Sequence, residues 1–355
     1  MKRPRIALVA ASTEILGGQA VQAAALVDAL RGDGWDVTFL PVNVPFPRGL
    51  GWLRRIRYAR TIVNEALYLA SLRALRDHDV VHVFTASYWS FLLVVPPVLV
   101  AARLLGLRTV VNYHSGEADD HLARHGVLVH PWLAMADELV VPSRYLRGVF
   151  ARYGHDAKVV PNIVDLARFP YRERAALRPR LLSNRNLEPY YRVDDAIRAH
   201  ALVAHRHGDA RLVVAGDGSE AARLHALADE LAPGSVEFVG RVEPADMPAL
   251  YDACDVELNA SVVDNQPLSI LEAFAAGVPV VSTPTGDLVS MVRTGETGVS
   301  VPPRDPAAMA GAVEWLLAHP DDARRLARRA HAEVEQHRWS SVRGEWQAVY
   351  AGGAP

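Results

Sequence analysis

The chain is 355 residues long, half of them hydrophobic and 22% charged, with a formal net charge of −2. That length holds two domains of ordinary size, each with its own core. The balanced charge excludes the basic surface of a nucleic-acid binder, and the single cysteine, Cys254, excludes an internal disulfide and suits a reducing cytosol.

In chain order, Met-Lys-Arg-Pro-Arg leads straight into the apolar strand IALVA rather than into a signal-peptide core with a cleavage site. The runs RIALVAA, DVTFLPV, DVVHVF, RTVVNYH, ELVVPS and AKVVPN are each followed by a helical pattern. A second series follows: RPRLLSN, ARLVVAG, SVEFVGR, DVELNAS and VPVVSTP. Strands that are apolar throughout suit parallel sheets covered on both faces. Strands alternating with helices predict an α/β, doubly wound sheet, twice over. The join falls around VVPNIVDLARFPYRERAALRP, where Pro161, Pro170 and Pro179 interrupt the periodicity. Ligands of such sheets bind outside the carboxyl ends of the strands, so two of them facing each other would make a cleft.

Two segments resemble membrane elements. SFLLVVPPVLVAARLLGL holds Pro96-Pro97 and Arg103 and falls short of about 20 unbroken apolar residues, so it reads as a buried helix of the first domain. PRGLGWLRRIRYARTIVNEALYLASLRALR mixes arginines with Trp52, Tyr58 and leucines. It reads either as an ordinary amphipathic helix or as one lying on a membrane surface. Lysine is confined to Lys2 and Lys158, so basic chemistry falls to arginine; the Arg and Ala bias suits a GC-rich bacterial genome.

The candidate site residues follow expected strands. Gly17 and Gly18 open a long helix ending near Gly32 or Gly34, and glycines there let backbone N–H groups approach an anion. The spacing is not that of a dinucleotide fingerprint, since no acid ends the second strand. His114 closes the fourth strand and is expected to face the cleft, whereas His82 lies inside a strand as a packed core residue. Arg185, after the first strand of the second series, can fork onto phosphate oxygens. Gly216, Gly218, Gly240 and Arg241 follow the next two strands, where a nucleotide base could slot against backbone or where the glycines merely turn the chain.

The densest stretch is VVDNQPLSILEAFAAGVPVVSTPTGD, residues 262–287. Pro267 suits the first helical position, Gly277 the stop, and Pro279 forbids continuation. A helix over 268–276 would leave the N–H groups of Leu268 and Ser269 free to hold a diphosphate. Glu272, among Ile270, Leu271 and Phe274, needs a partner as a buried acid. Asp264 and Asn265 precede the helix, Asp264 within reach of a sugar hydroxyl. The paired acids Asp119-Asp120 and Asp194-Asp195 read as solvated, and no metal site is expected.

Taken in order, LGGQA, YHSGE, VVPS, VVPNIVDLARF, VAGDGSE, FVGRV, the Asp264–Glu272 spacing, TGETGVSVPP and the closing HRWSSVRGEWQAVY resemble family 4 retaining glycosyltransferases of the GT-B fold over nearly the whole chain. The resemblance implies an acceptor-binding domain over 1–168, joined by a returning helix from 337–355, and a nucleotide-sugar domain over 169–336. It implies that Glu272 binds ribose and that Asp264, where the family usually has glutamate, contacts the donor sugar. Arg185 would neutralise the diphosphate, Gly18 would meet it from the other domain, and His114 would sit by the sugar. The family's lysine shortly after the arginine is missing; Tyr190, Tyr191 and Arg192 stand there, and Arg192 is the expected substitute.

The implied activity moves a hexosyl or N-acetylhexosaminyl group from a UDP-, GDP- or similar donor to a hydroxyl acceptor with retention and without metal or cofactor. The acceptor is unspecified: glycan, lipid-linked sugar or small molecule. A cytoplasmic enzyme results, with peripheral contact at the inner membrane face if the amphipathic segment binds lipid. The alternatives are a nucleotide-sugar-binding protein weakened by the missing lysine and by Asp264, and an epimerase or phosphorylase of the same fold.

Overall fold

The computed structural model describes residues 3–14, 17–47, 52 and 56–352. Leu16 of LGGQA, and residues 48–51 and 53–55 of the amphipathic segment, lie outside them. The chain forms two compact units, Met1–Ile163 with Val342–Pro355, and Val164–Ser341.

The β-branched runs form strands, as their propensity and uniform hydrophobicity require. The first unit holds β1 (Ile6–Ala10), β2 (Val37–Pro41), β3 (Val80–Thr85), β4 (Arg108–Tyr113), β5 (Glu138–Val141) and β6 (Lys158–Val159). They pair in parallel in the order β2-β1-β3-β4-β5-β6. Alternation along each strand divides the residues between two helix layers. Val81, Val83 and Val111 face a core shared with helices Trp89–Leu105, Ala118–Leu133 and Arg144–Arg152. The opposite face presents His82 and Phe84 to the closing helix Trp339–Ala351: His82 Nδ1 lies 2.9 Å from the Tyr350 hydroxyl and its ring 4.9 Å from Trp346. His82 is thus the packed core residue expected.

The second unit holds β7 (Arg180–Asn184), β8 (Arg211–Ala215), β9 (Val236–Gly240), β10 (Val256–Asn259), β11 (Val280–Ser282) and β12 (Val299–Ser300). All pair in parallel, in the order β12-β11-β10-β7-β8-β9. Every strand read from the sequence is present. β12, inside TGETGVSVPP, is not among them: its two residues are set between Gly298 and Pro302-Pro303, without the apolar run that marks the equally short β6. In this order the connections wind outward in both directions from the neighbours β7 and β10, which makes their carboxyl ends the switch point of the sheet.

The helix Trp89–Leu105 corrects one expectation. It buries Phe91, Val94, Val95, Val98, Leu99 and Ala102, but Trp89, Val100 and Leu104 are exposed, so it is buried along one stripe only. No helix among the described residues is long and apolar enough to cross a membrane.

A buried charge cluster fixes the second unit near its own start. Asp255, just ahead of β10, is fully buried and accepts from Arg174 Nε at 3.2 Å and from Arg178 Nε at 2.8 Å. Arg174, also buried, donates to the carbonyls of Tyr251, Cys254, Ala276 and Gly277. One guanidinium therefore closes the carboxyl ends of two helices. Removing a partner from such a pair leaves a buried charge uncompensated, at about 3–5 kcal/mol. Asp255→Ala is expected to lower the unfolding free energy of the chain by about that amount in urea titration.

Candidate active site

The switch point brings together residues far apart in sequence. Arg185 follows β7 directly, and Asp264 stands in the loop after β10. Arg185 Nη2 donates to Asp264 Oδ2 at 2.6 Å, and both side chains are more than nine-tenths buried. Arg185 Nη1 lies 3.4 Å from Ser269 Oγ, and the guanidinium carbon stands 4.0 Å from the centre of the Tyr191 ring. A desolvated ion pair in this position is costly to build and more costly to break on one side.

Two glycines hold the backbones of this pair. Gly216 has φ +141°, and a Cβ there would stand 2.2 Å from the Arg185 carbonyl oxygen. Gly286, with φ +59°, would place a Cβ 2.1 Å from the Asp264 carbonyl oxygen. No side chain fits either space. Gly216 is therefore required by packing against Arg185, and Gly286 went unnoticed in the sequence because its partner lies in another loop.

The helix Leu268–Ala275 begins where expected, but Pro267 is the extended residue before it, at φ −70° and ψ 131°, rather than its first helical residue. The helix ends as expected, with Gly277 at φ +69°. The N–H groups of Leu268 and Ser269 have no acceptor among the described residues. Asn265 is buried, and its N–H donates to Asp264 Oδ1 at 2.9 Å. Glu272, half-buried, accepts from the Tyr251 hydroxyl at 3.1 Å; that hydroxyl also lies 3.0 Å from the Ser269 carbonyl and accepts from Asn184 Nδ2 at 2.9 Å. Burial pushes the Glu272 carboxyl up to about 7, against the opposing hydrogen bond from Tyr251. Glu257, fully buried on β10, is raised well above its ordinary value, again by burial, and its Oε2 has no partner among the described residues. Tyr251, Asn184 and Glu257 were missed because nothing in their local sequence marks them.

Arg192 takes a different place from Arg185. Its backbone is left-handed (φ 51°), and its guanidinium bonds Asp195 at 2.9 and 3.0 Å and Asp194 at 3.2 Å. Asp194 and Asp195 are thus buried and paired, which corrects the reading of them as solvated. The residue of this segment that meets Arg185 is Tyr191. Arg241 is exposed, 3.9 Å from Asp217, and Gly240 at φ +67° accepts from the Gly216 N–H at 2.7 Å. Among the described residues no group of three or more His, Cys, Asp and Glu is placed to hold a metal ion.

In the first unit, Gly17 is extended and Gly18 opens the helix Gly18–Gly32; a Cβ on Gly17 would meet nothing within 4 Å. His114 follows β4, its N–H donating to the Thr85 carbonyl at 3.0 Å. Its ring is half-buried, 4.9 Å from that of Phe84, with Nε2 unpartnered among the described residues. It lines a small cavity with Gln22, Asn112 and Trp346, and burial lowers it to about 3, so it is neutral at physiological pH.

A carboxyl whose folded-state value is raised binds its proton more tightly in the folded state, so stability is lost as pH climbs. For Glu272 the window runs from its ordinary 4.5 to about 7. Across it, wild type is expected to lose on the order of 3 kcal/mol relative to Glu272→Gln, with no further divergence above. Urea titrations of both proteins at a series of pH values measure the difference.

Residues 178–319 match the family model described as glycosyl transferases group 1, and residues 16–168 the model described as glycosyltransferase family 4. A glycogen synthase of Mycobacterium tuberculosis is 32% identical over 296 residues, covering 77% of this chain and 68% of that protein. The D-rhamnosyltransferase WbpZ of Pseudomonas aeruginosa is 30% identical over 246 residues, 64% of this chain and 63% of the relative. Among solved structures, Anabaena HepE in complex with UDP and glucose superposes with a TM-score of 0.76 at 17% identity, covering 98% of this chain and 99% of that one. Sucrose-phosphate synthase from Thermosynechococcus elongatus gives 0.77 at 20% identity, covering 98% of each. This chain belongs to glycosyltransferase family 4, and its two parallel six-stranded sheets are those of the GT-B fold.

Proposed function

We propose that the protein is a retaining transferase of hexosyl or N-acetylhexosaminyl groups that uses a nucleotide-diphosphate sugar. The observation that carries this reading is the buried Arg185–Asp264 pair beside the uncapped N–H groups of Leu268 and Ser269 at a sheet switch point. A diphosphate supplies the negative charge that this end of a helix and a fixed guanidinium both favour. Glu272, reached by Tyr251, is the acceptor for ribose hydroxyls, and Asp264 for hydroxyls of the transferred sugar. Gly18 and His114 keep the roles that the family resemblance gives them, with His114 a neutral imidazole.

In the reaction the bond between the anomeric carbon and the diphosphate oxygen breaks through an oxocarbenium-like state. The acceptor oxygen bonds the same face, and its proton passes to the departing phosphate oxygen. Charge grows on the leaving group, so Arg185 and the helix N–H groups act mainly in the transition state. The scheme assigns no step to a metal ion. Donor binding must also redirect Arg185, because one of its nitrogens is committed to Asp264. That commitment favours the second reading, a donor-binding protein with weak transfer.

Arg185→Lys keeps the charge but loses the fork, and is expected to lower kcat for donor turnover roughly 100-fold with a small change in KM. Glu272→Ala is expected to lower kcat/KM by a similar factor, roughly 100-fold, through donor affinity. A panel of UDP- and GDP-sugars, followed by release of nucleoside diphosphate in the presence of glycoside acceptors, measures both. Thermal stabilisation by UDP without sugar release would select the second reading, and unchanged turnover in Glu272→Ala would remove the assignment.

A further inference from the structure

Helices Arg57–Ser71, Trp89–Leu105 and Ala118–Leu133 belong to one layer, since each sends side chains into the same core against the same face of the first unit's sheet. Tyr68 links the first two directly, its hydroxyl donating to the Val94 carbonyl at 2.9 Å. Their outward faces are therefore neighbours, and they are not polar. On the first helix Tyr58 and Ile62 are 77% and 70% exposed, and Leu69 continues their stripe at helical spacing. On the second, Trp89, Val100 and Leu104 repeat at spacings of eleven and four residues on the side away from the sheet, Trp89 and Leu104 at 73% and 83% exposure. On the third, Val127 is 90% exposed and Leu128 lies beside it. Large apolar side chains grouped over three helices mark an interaction surface, where scattered ones would not.

The charges around these side chains have one sign in excess. Arg60 stands between Tyr58 and Ile62, Arg73 and Arg76 follow Leu69 in the chain, and Arg103 adjoins Leu104; all four are exposed and form no ion pair among the described residues. The acids of the same elements are Glu65, Asp77, Asp119 and Asp120, and the last two are already paired, with Arg152 and Arg124. The combination of aliphatic side chains, a tyrosine and a tryptophan with unpaired guanidinium groups is that of a surface meeting lipid acyl chains and anionic headgroups together.

We propose that this face of the first unit docks on an anionic lipid bilayer, with Tyr58, Ile62, Trp89 and Leu104 entering the interface and Arg60, Arg73, Arg76 and Arg103 meeting the headgroups. The docking is independent of glycosyl transfer; the corollary, that the acceptor is carried by a lipid, rests on the function proposed above.

The test is sedimentation of the full chain with vesicles of phosphatidylcholine alone, or with about 30% phosphatidylglycerol added to supply negative surface potential. Partitioning is expected to be roughly tenfold higher on the anionic vesicles and to fall at about 0.5 M salt, where headgroup charge is screened. The double variant Ile62→Glu, Leu104→Glu is expected to lose roughly tenfold in partitioning, with its circular dichroism and its thermal shift with UDP unchanged. Equal partitioning on both vesicles, or none, would overturn the proposal. So would light scattering that finds a dimer which the double variant dissolves, since a second copy would then cover the face. Failure of UDP to stabilise either protein bears on the proposed transferase activity and leaves the vesicle result intact.

Discussion

A guanidinium and a carboxylate removed from water at the centre of a sheet set the terms for everything around them. Arg185 and Asp264 come from the ends of β7 and β10, strands adjacent in space and remote in sequence. An ion pair of this kind gives little net stability, because desolvation offsets most of the Coulomb attraction. Its presence makes sense as positioning. Each group holds the other in one rotamer, Tyr191 lies against the guanidinium, and Ser269 brings the start of the helix Leu268–Ala275 to the same place.

The surroundings are built to keep that geometry. Gly216 and Gly286 let two further loops press on the backbones of Arg185 and Asp264 at distances no Cβ allows. Behind the helix, Arg174 satisfies the carbonyls of Ala276 and Gly277, so the end opposite the free N–H groups is anchored in a buried charge cluster with Asp255. The acids near the pair sit in different surroundings. Asp264 faces a guanidinium. Glu272 accepts from the neutral Tyr251 hydroxyl and is raised to about 7 by burial, and Glu257, fully buried, is raised well above its ordinary value by the same cause. Burial that raises a carboxyl limits the negative charge that collects beside the pair.

The sequence was legible wherever the signal was local. Apolar runs gave every strand except the two-residue β12, and Pro267 with Gly277 bracketed the helix to within a residue. The Arg185 and Asp264 positions could be singled out because each follows a strand, though only the sheet order shows that they touch. What stayed hidden depends on chain segments meeting. Tyr191 and Arg192 are adjacent, and nothing local says which turns to Arg185; Arg192 adopts a left-handed backbone and bonds Asp194 and Asp195 instead. Tyr251, on a helix remote from Glu272 in sequence, becomes its hydrogen-bond partner only in the fold.

The helix Trp89–Leu105 shows why an apolar run by itself divides such cases poorly. A helix that packs on a sheet needs one apolar stripe, and this one has two: the stripe of Phe91, Val95 and Leu99 toward the core, and that of Trp89, Val100 and Leu104 away from it. The segment therefore reads much like a membrane span, although it is too short to be one and carries Pro96 and Pro97 within it. Packing accounts for the inner stripe and leaves the outer one without a partner inside the unit. Exposed apolar area of that size is selected against in a protein surrounded only by water, and its equivalents on the helices either side, with unpaired arginines between them, belong to the same surface. The surplus of apolar side chains in this segment is thus a property of the unit's outer face as much as of its core.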